Sequence, residues 1–184
     1  MKTRLIFLTA LFSLVLLDAS LAWQFQHNPS YIKYAARLAS QLIDPLFIAC
    51  VSVLLLACRK SIFINNAVAL GCGFFIVRLL KWGIGRSRPN ILFSQGIFTC
   101  HPFNFSPDYQ SFPSSHTLAI FTIATSLGLF WPKYRVVFLV GAGILAMSRV
   151  ILHQHYLSDV AFGAYIGWEI TKKIGQVKLV RLND

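Results

Sequence analysis

Acidic side chains are scarce in this chain. Six Asp and Glu stand against 17 Lys and Arg in 184 residues, and charged residues of both signs make up only 12%. An ordinary soluble domain carries about 25%. So few carboxylates argue against an oxygen-ligated Ca²⁺ or Mg²⁺ site and against glycosidase chemistry, which needs a carboxyl pair. Four Cys are too few for a disulfide scaffold. No C-x-x-C or Cys/His cluster has zinc spacing. Cys50, Cys58 and Cys72 sit in apolar runs and read as inert core residues. Cys100 stands alone in a polar stretch, so no intrachain disulfide is expected.

What the chain has in excess is apolar surface: 56% of its residues are hydrophobic, which excludes a disordered chain. A helical membrane span takes ~20 residues, so about six of them would fill the chain and leave short loops. The expected fold is all-α: a polytopic helical membrane protein of about six spans, with residues 1–184 as a single membrane-embedded domain. The net charge of +11 then reads as cytoplasmic loops and lipid headgroups rather than nucleic acid.

The first apolar run, Leu5–Leu17, is followed by Ser20-Leu21-Ala22. Residues 1–22 read as a signal anchor or as a cleavable signal. Tyr31, Tyr34, Ala35, Leu38, Ala39 and Leu42 recur at helical spacing, which predicts an amphipathic helix in the outer interface. Further spans are expected at Pro45–Cys58, Ser61–Val77, Thr117–Trp131, Val136–Met147 and Val160–Ile170. Residues 82–115 have no helical period and read as a long ordered outer loop. Ten basic residues then fall on one side: Lys2, Arg4, Arg59, Lys60, Lys133, Arg135, Lys172, Lys173, Lys178 and Arg181. The positive-inside rule makes that side cytoplasmic. The other seven, Lys33, Arg37, Arg78, Lys81, Arg86, Arg88 and Arg149, gather mostly around the loop, which calls for a reason other than topology. Paired small residues at Gly71/Gly73, Gly141/Gly143 and Gly163/Gly167 read as sites of close helix packing.

Three charged segments border the outer span ends: Lys81–Pro89, Phe112–His116 and Ser148–Asp159. They offer cations and hydrogen-bond donors with few acceptors, which suits an anion with several oxygens, and Arg is the preferred bidentate partner of phosphate. His155 and Asp159 are four apart, so on a helix they face the same way. Asp159 would then take one ring N–H of His155 and leave the other nitrogen as a nucleophile. His116 follows Pro113-Ser114-Ser115 at a span start, where free backbone N–H groups favour an anion. Two histidines, one braced and one beside the anion, supply the nucleophile and general acid that covalent phosphoryl transfer needs.

This pattern resembles the type 2 phosphatidic acid phosphatase superfamily, whose signature is K-x6-R-P, then P-S-G-H, then S-R-x5-H-x3-D. Lys81 and Arg88-Pro89 match the first part, and Pro113-Ser114-Ser115-His116 the second apart from Ser115 in place of glycine. Ser148-Arg149, His155 and Asp159 match the third. The resemblance implies that Lys81, Arg88 and Arg149 bind phosphate, with Ser114 and the Ser115 N–H completing the cradle. It implies that His155 attacks phosphorus, Asp159 orients it, and His116 protonates the leaving oxygen and then activates water. It implies no metal and no cofactor. The backbone N–H survives at Ser115, but a side chain leaves less room than glycine.

The expected activity is an integral membrane lipid phosphatase at the outer face of a bacterial cytoplasmic membrane. The resemblance implies undecaprenyl diphosphate, phosphatidylglycerophosphate, phosphatidate and lipid A 1-phosphate as candidate substrates, and the minimal chain with its small loop leans the reading to an isoprenoid diphosphate. A lipid-to-lipid phosphotransferase would use the same site. A vanadium haloperoxidase has a similar cradle on a soluble body that does not fit these spans. A non-enzymatic lipid-binding or transport protein leaves the histidine–aspartate spacing unexplained. His153 is expected to face elsewhere. His101 and Arg86 read as loop residues within reach of a headgroup, Glu169 as a partner of Lys172 or Lys173, and Asp18 carries no assigned role.

Overall fold

The computed structural model describes residues 15–44, 48–49, 51–53 and 60–181. Most of the expected span at Pro45–Cys58 and the start of the first run lie outside them. Seven α-helices are described: α1 (Val15–Phe25), α2 (Ser30–Gln41), α3 (Lys60–Ile84), α4 (Pro89–Gln95), α5 (Ser115–Phe130), α6 (Arg135–Ile151) and α7 (Leu157–Arg181). The only pairing of strand type among the described residues is an isolated bridge between Arg86 and Cys100.

Local sequence accounts for the ends of these helices. Gly85 closes α3 in the left-handed region (φ +59°), its N–H bonded to the Lys81 carbonyl at 2.9 Å. A Cβ there would run into the His101 carbonyl, so glycine serves both the turn and the close approach. The Ser114 hydroxyl caps α5 by accepting from the Thr117 N–H at 3.4 Å. Pro132 follows one residue after its last turn. Within the expected outer loop, Pro89 opens α4 and Gly96, also left-handed, closes it. Residues 82–115 are therefore not devoid of helix: α3 runs on to Ile84, α4 follows, and Pro107–Tyr109 forms a 3₁₀ turn.

α5 is the central helix and packs against α7, α6 and α3. Its position explains part of the glycine pattern. Cβ atoms on Gly163 and Gly167 would lie 2.5 Å from the Ser114 and Leu118 carbonyls, and one on Gly73 would lie 2.9 Å from Leu118. Gly71, Gly141 and Gly143 have nothing within 4 Å among the described residues, so close packing of those three against the described helices is not found. Inside the bundle, Asn66 donates to Ser52 at 3.0 Å and accepts from Ser126 at 3.5 Å. Such bonds hold helices together where lipid offers no hydrophobic drive.

Lys60–Ile84 and the stretch Pro132–Ile151 are long and apolar enough to cross a membrane, and α1 and α5 are apolar but shorter. Phe75, Val136, Val137 and Ile144 are each about two-thirds exposed, as a lipid-facing surface requires. α2 is amphipathic, and only its small residues pack inward. It packs on α6 with Ala36 and Ser40 buried, while Tyr31, Tyr34, Leu38 and Leu42 face outward. Small residues make the close contact, and the large ones are left for the interface. Glu169 does pair with Lys173, at 4.0 Å.

Candidate active site

The three charged segments meet at one end of the bundle. The backbone itself joins two of them, since the Ser114 N–H donates to the Asp159 carbonyl at 3.1 Å. A cavity of about 310 Å³ opens between α3, α5 and the turn before α7, with Lys81, Arg88, Ser115, His116 and His155 in its wall. Phe74 and Val77 of α3 add an apolar side, and Arg78 and Gln110 lie beside Lys81. Among the described residues, no carboxylate lines this cavity.

His155 belongs to the turn between α6 and α7, not to a helix. Its N–H and that of Gln154 both donate to the Arg149 carbonyl, at 3.2 and 3.0 Å. The next residue but one begins α7, and Asp159, in its first turn, reaches back to the Tyr156 N–H at 2.8 Å. This is half of a capping box. The four-residue spacing thus brings His155 and Asp159 together through a helix cap, where a helical turn was expected. His155 Nδ1 stands 3.6 Å from Asp159 Oδ2, beyond hydrogen-bond length and without another partner. Catalytic hydrogen bonds are commonly long before substrate binds and tighten afterwards. Burial pushes the His155 imidazole well down, to about 3, because a charged ring would be cut off from water. It is therefore neutral at physiological pH, which keeps the lone pair of one ring nitrogen available.

Asp159 is completely buried and held on every side. Arg86 donates to Oδ1 at 2.6 Å, and Ser111 to Oδ2 at 2.5 Å. Arg86 was expected in the loop near a headgroup; it is instead 4% exposed and pairs also with Asp18 of α1 at 2.7 Å. Burial opposes its charge, but Asp159 and Asp18 prevail and raise its pKa. Asp18, Arg86, Ser111 and Ser158 form a support that sequence reasoning missed. Arg86 lies among the unspecified positions of the first motif, and Asp18 is 141 positions from Asp159.

The remaining expected ligands divide into two groups. Lys81 donates to the Gln110 carbonyl, and Arg88 to Gln154 Oε1 at 2.6 Å; both line the cavity. Burial lowers the Arg88 pKa, though from so high a value that the guanidinium keeps its charge. Ser114 and Arg149 are not in the cavity wall. The Ser114 hydroxyl is fully buried and engaged by the Thr117 N–H and hydroxyl, so it serves as a helix cap. The Arg149 guanidinium donates to Ser40 of α2 at 2.6 Å. His153 has a left-handed backbone (φ 57°) and its ring meets Phe93 edge-on at 5.0 Å, away from this cavity as expected. His101 packs against Tyr109 at 4.7 Å, also outside the cavity wall.

Residues 62–175 match the family model of the PAP2 superfamily. The chain belongs to that superfamily. Among relatives, a lipid A 1-phosphatase of Rhizobium etli is 31% identical over 176 residues, covering 85% of this chain and 75% of that protein. A lipid A 1-phosphatase of Rhizobium johnstonii is 39% identical over 94 residues, covering 49% of this chain and 38% of that protein. Two solved structures share the fold at a TM-score of 0.72. LpxE from Aquifex aeolicus has 21% identity and covers 86% of this chain and 94% of its own. The first transmembrane PAP2 type phosphatidylglycerolphosphate phosphatase from Bacillus subtilis has 20% identity and covers 96% and 94%. As a PAP2 enzyme the chain is an integral membrane lipid phosphatase, and the all-helical architecture is that of its structural neighbours.

Proposed function

We propose that this phosphatase hydrolyses the terminal phosphate of a lipid phosphate or diphosphate through a phospho-His155 intermediate, with residues 1–184 acting as one membrane-embedded domain. The observation that carries this reading is the cavity wall: two histidines and three cations, Arg78, Lys81 and Arg88, face one space that no carboxylate among the described residues shares. Lys81 and Arg88 hold the phosphoryl oxygens, and the Ser115 N–H at the start of α5 adds a donor. Arg149 completes the cradle on leaving Ser40. His155 Nε2, the nitrogen turned from Asp159, attacks phosphorus. The P–N bond forms, the P–O bond to the lipid breaks, and His116 gives the leaving oxygen its proton. His116 then takes a proton from water, whose oxygen attacks phosphorus and releases phosphate and His155. Asp159 keeps the ring in place and balances its positive charge while the phosphoryl group is attached.

Among the candidate lipids, the relatives named as lipid A 1-phosphatases support a glycolipid 1-phosphate as substrate. The surplus of Lys and Arg at the opposite end of the helices supports a site on the outer face of the bacterial cytoplasmic membrane. Phosphate release from purified protein in detergent, on a panel of lipid A 1-phosphate, undecaprenyl diphosphate, phosphatidylglycerophosphate and phosphatidate, tests the reading. Turnover should persist in excess EDTA, and His155→Ala should abolish both turnover and acid-labile labelling of the protein. Labelled protein that survives the substitution would remove the covalent role. Phosphate passed to an acceptor lipid instead of water would make the enzyme a phosphotransferase.

A further inference from the structure

Asp18 lies in an apolar helix far from every signature motif, yet it is 1% exposed and joined to the centre of the site. Its Oδ1 accepts from the Ser158 N–H at 3.1 Å, and its Oδ2 from Arg86 at 2.7 Å and from the Ser158 hydroxyl. The other arm of the same guanidinium donates to Asp159 Oδ1 at 2.6 Å and to the Ser158 hydroxyl at 2.8 Å. The Arg86 cation is further held between rings, 4.4 Å from Tyr156 and 5.0 Å from Phe98. Around this point α1 is packed, not loosely apposed: Ala22 is buried against Leu92 and Tyr156. A buried charge at an apolar span is costly and calls for a functional explanation.

We propose that Asp18 and Arg86 are positioning residues for catalysis: Asp18 of α1 divides the Arg86 cation with Asp159, and so fixes the carboxylate that faces His155. Asp159 faces His155 with Oδ2, at 3.6 Å, and Arg86 with Oδ1, at 2.6 Å. A guanidinium bound to one carboxylate alone would draw that carboxylate's charge fully to itself. With Asp18 on its second arm, Arg86 is anchored on both sides and Asp159 retains charge for the imidazole. A shift of even ~1 Å in a catalytic group can cost a factor on the order of 100 in rate. α1 therefore belongs to the working enzyme, and cleavage after Ala22 would remove half of the pair that holds Arg86.

This inference rests on the phosphatase reading above, and the test separates the two. Asp18→Asn, purified in detergent and normalised to folded protein, should lose about 10- to 100-fold in kcat with KM within about twofold, because the substituted group never meets substrate. Formation of labelled phospho-enzyme should slow by the same factor, and Asp18→Glu should restore part of it. Ser158→Ala, which removes one hydroxyl from the same junction, should show a smaller loss of the same kind and decides the matter where Asp18→Asn does not accumulate. An unchanged kcat in these variants, or losses that follow only the folded fraction, would overturn the positioning role. So would an active enzyme whose intact mass begins after Ala22. Wild-type protein that releases phosphate from no lipid would instead remove the functional reading itself.

Discussion

His155 is buried to 2% exposure and neutral, and this has a thermodynamic consequence. Its folded pKa of about 3 lies below the ordinary 6.5. Between those values the unfolded chain binds a proton at this position and the folded protein does not. Stability therefore rises with pH across that window and is lost as pH falls from 6.5 toward 3. Above 6.5 the group contributes no pH dependence. His155→Gln should abolish this component, so the melting temperature of the wild type should drop more steeply than that of the variant on acidification below pH 6.5. Thermal melts of both proteins across that range check it. Parallel curves would mean that the folded imidazole carries a charge. At this scale the juxtaposition of His155 and Asp159 was legible in the sequence, because a cap and a helical turn share the same spacing of four. The support behind it was not. No local pattern announces that Asp18 will meet Ser158 and Arg86, since that contact exists only once α1 has packed.

The helices place these residues by close approach, above all where α7 crosses the start of α5. Gly163 stands against the Ser114 carbonyl and the Thr117 side chain, immediately before the residues that present Ser115 and His116 to the cavity. Gly163→Ala should therefore push the two helices apart. Overpacking typically costs ~1–3 kcal/mol, and here it should lower activity as well, by moving His116 from His155. Gly141→Ala, with nothing within 4 Å, should leave activity unchanged and the melting temperature the same or higher, since alanine favours the helix. Melting temperatures and phosphate release, measured side by side on the two variants, check the contrast. Equal stability of both would mean that α5 and α7 tolerate a wider separation. The small-residue spacing identified close packing correctly at Gly73, Gly163 and Gly167, but it could not tell the buried face from the lipid-exposed one. Residues 82–115 carried their own helix signal in Pro89 and Gly96, which a search for long apolar periods passes over.

Across the whole molecule, charge has two different uses. At one end, Lys60 opens α3, Lys133 lies in the turn between α5 and α6, Arg135 opens α6, and Lys172 and Lys173 lie far along α7. These are flank charges of the kind that set orientation. At the other end, Lys81 and Arg88 line the cavity, and Arg86 and Arg149 are bound to side chains within the fold. Cations that line a cavity or are bonded to buried side chains have a local use and do not report topology, so the raw count of ten against seven understates the bias. The inward assignment of the flank charges gives a direct expectation for Cys100, which is exposed and bridges to Arg86 on the side of the site. A membrane-impermeant thiol reagent should label Cys100 in intact spheroplasts, and Cys100→Ser should abolish that labelling. The substitution separates it from Cys72, which is exposed on the apolar α3. Labelling that appears only after the membrane is opened would place the cavity on the cytoplasmic side. The lipid phosphate would then have to be drawn from the inner leaflet.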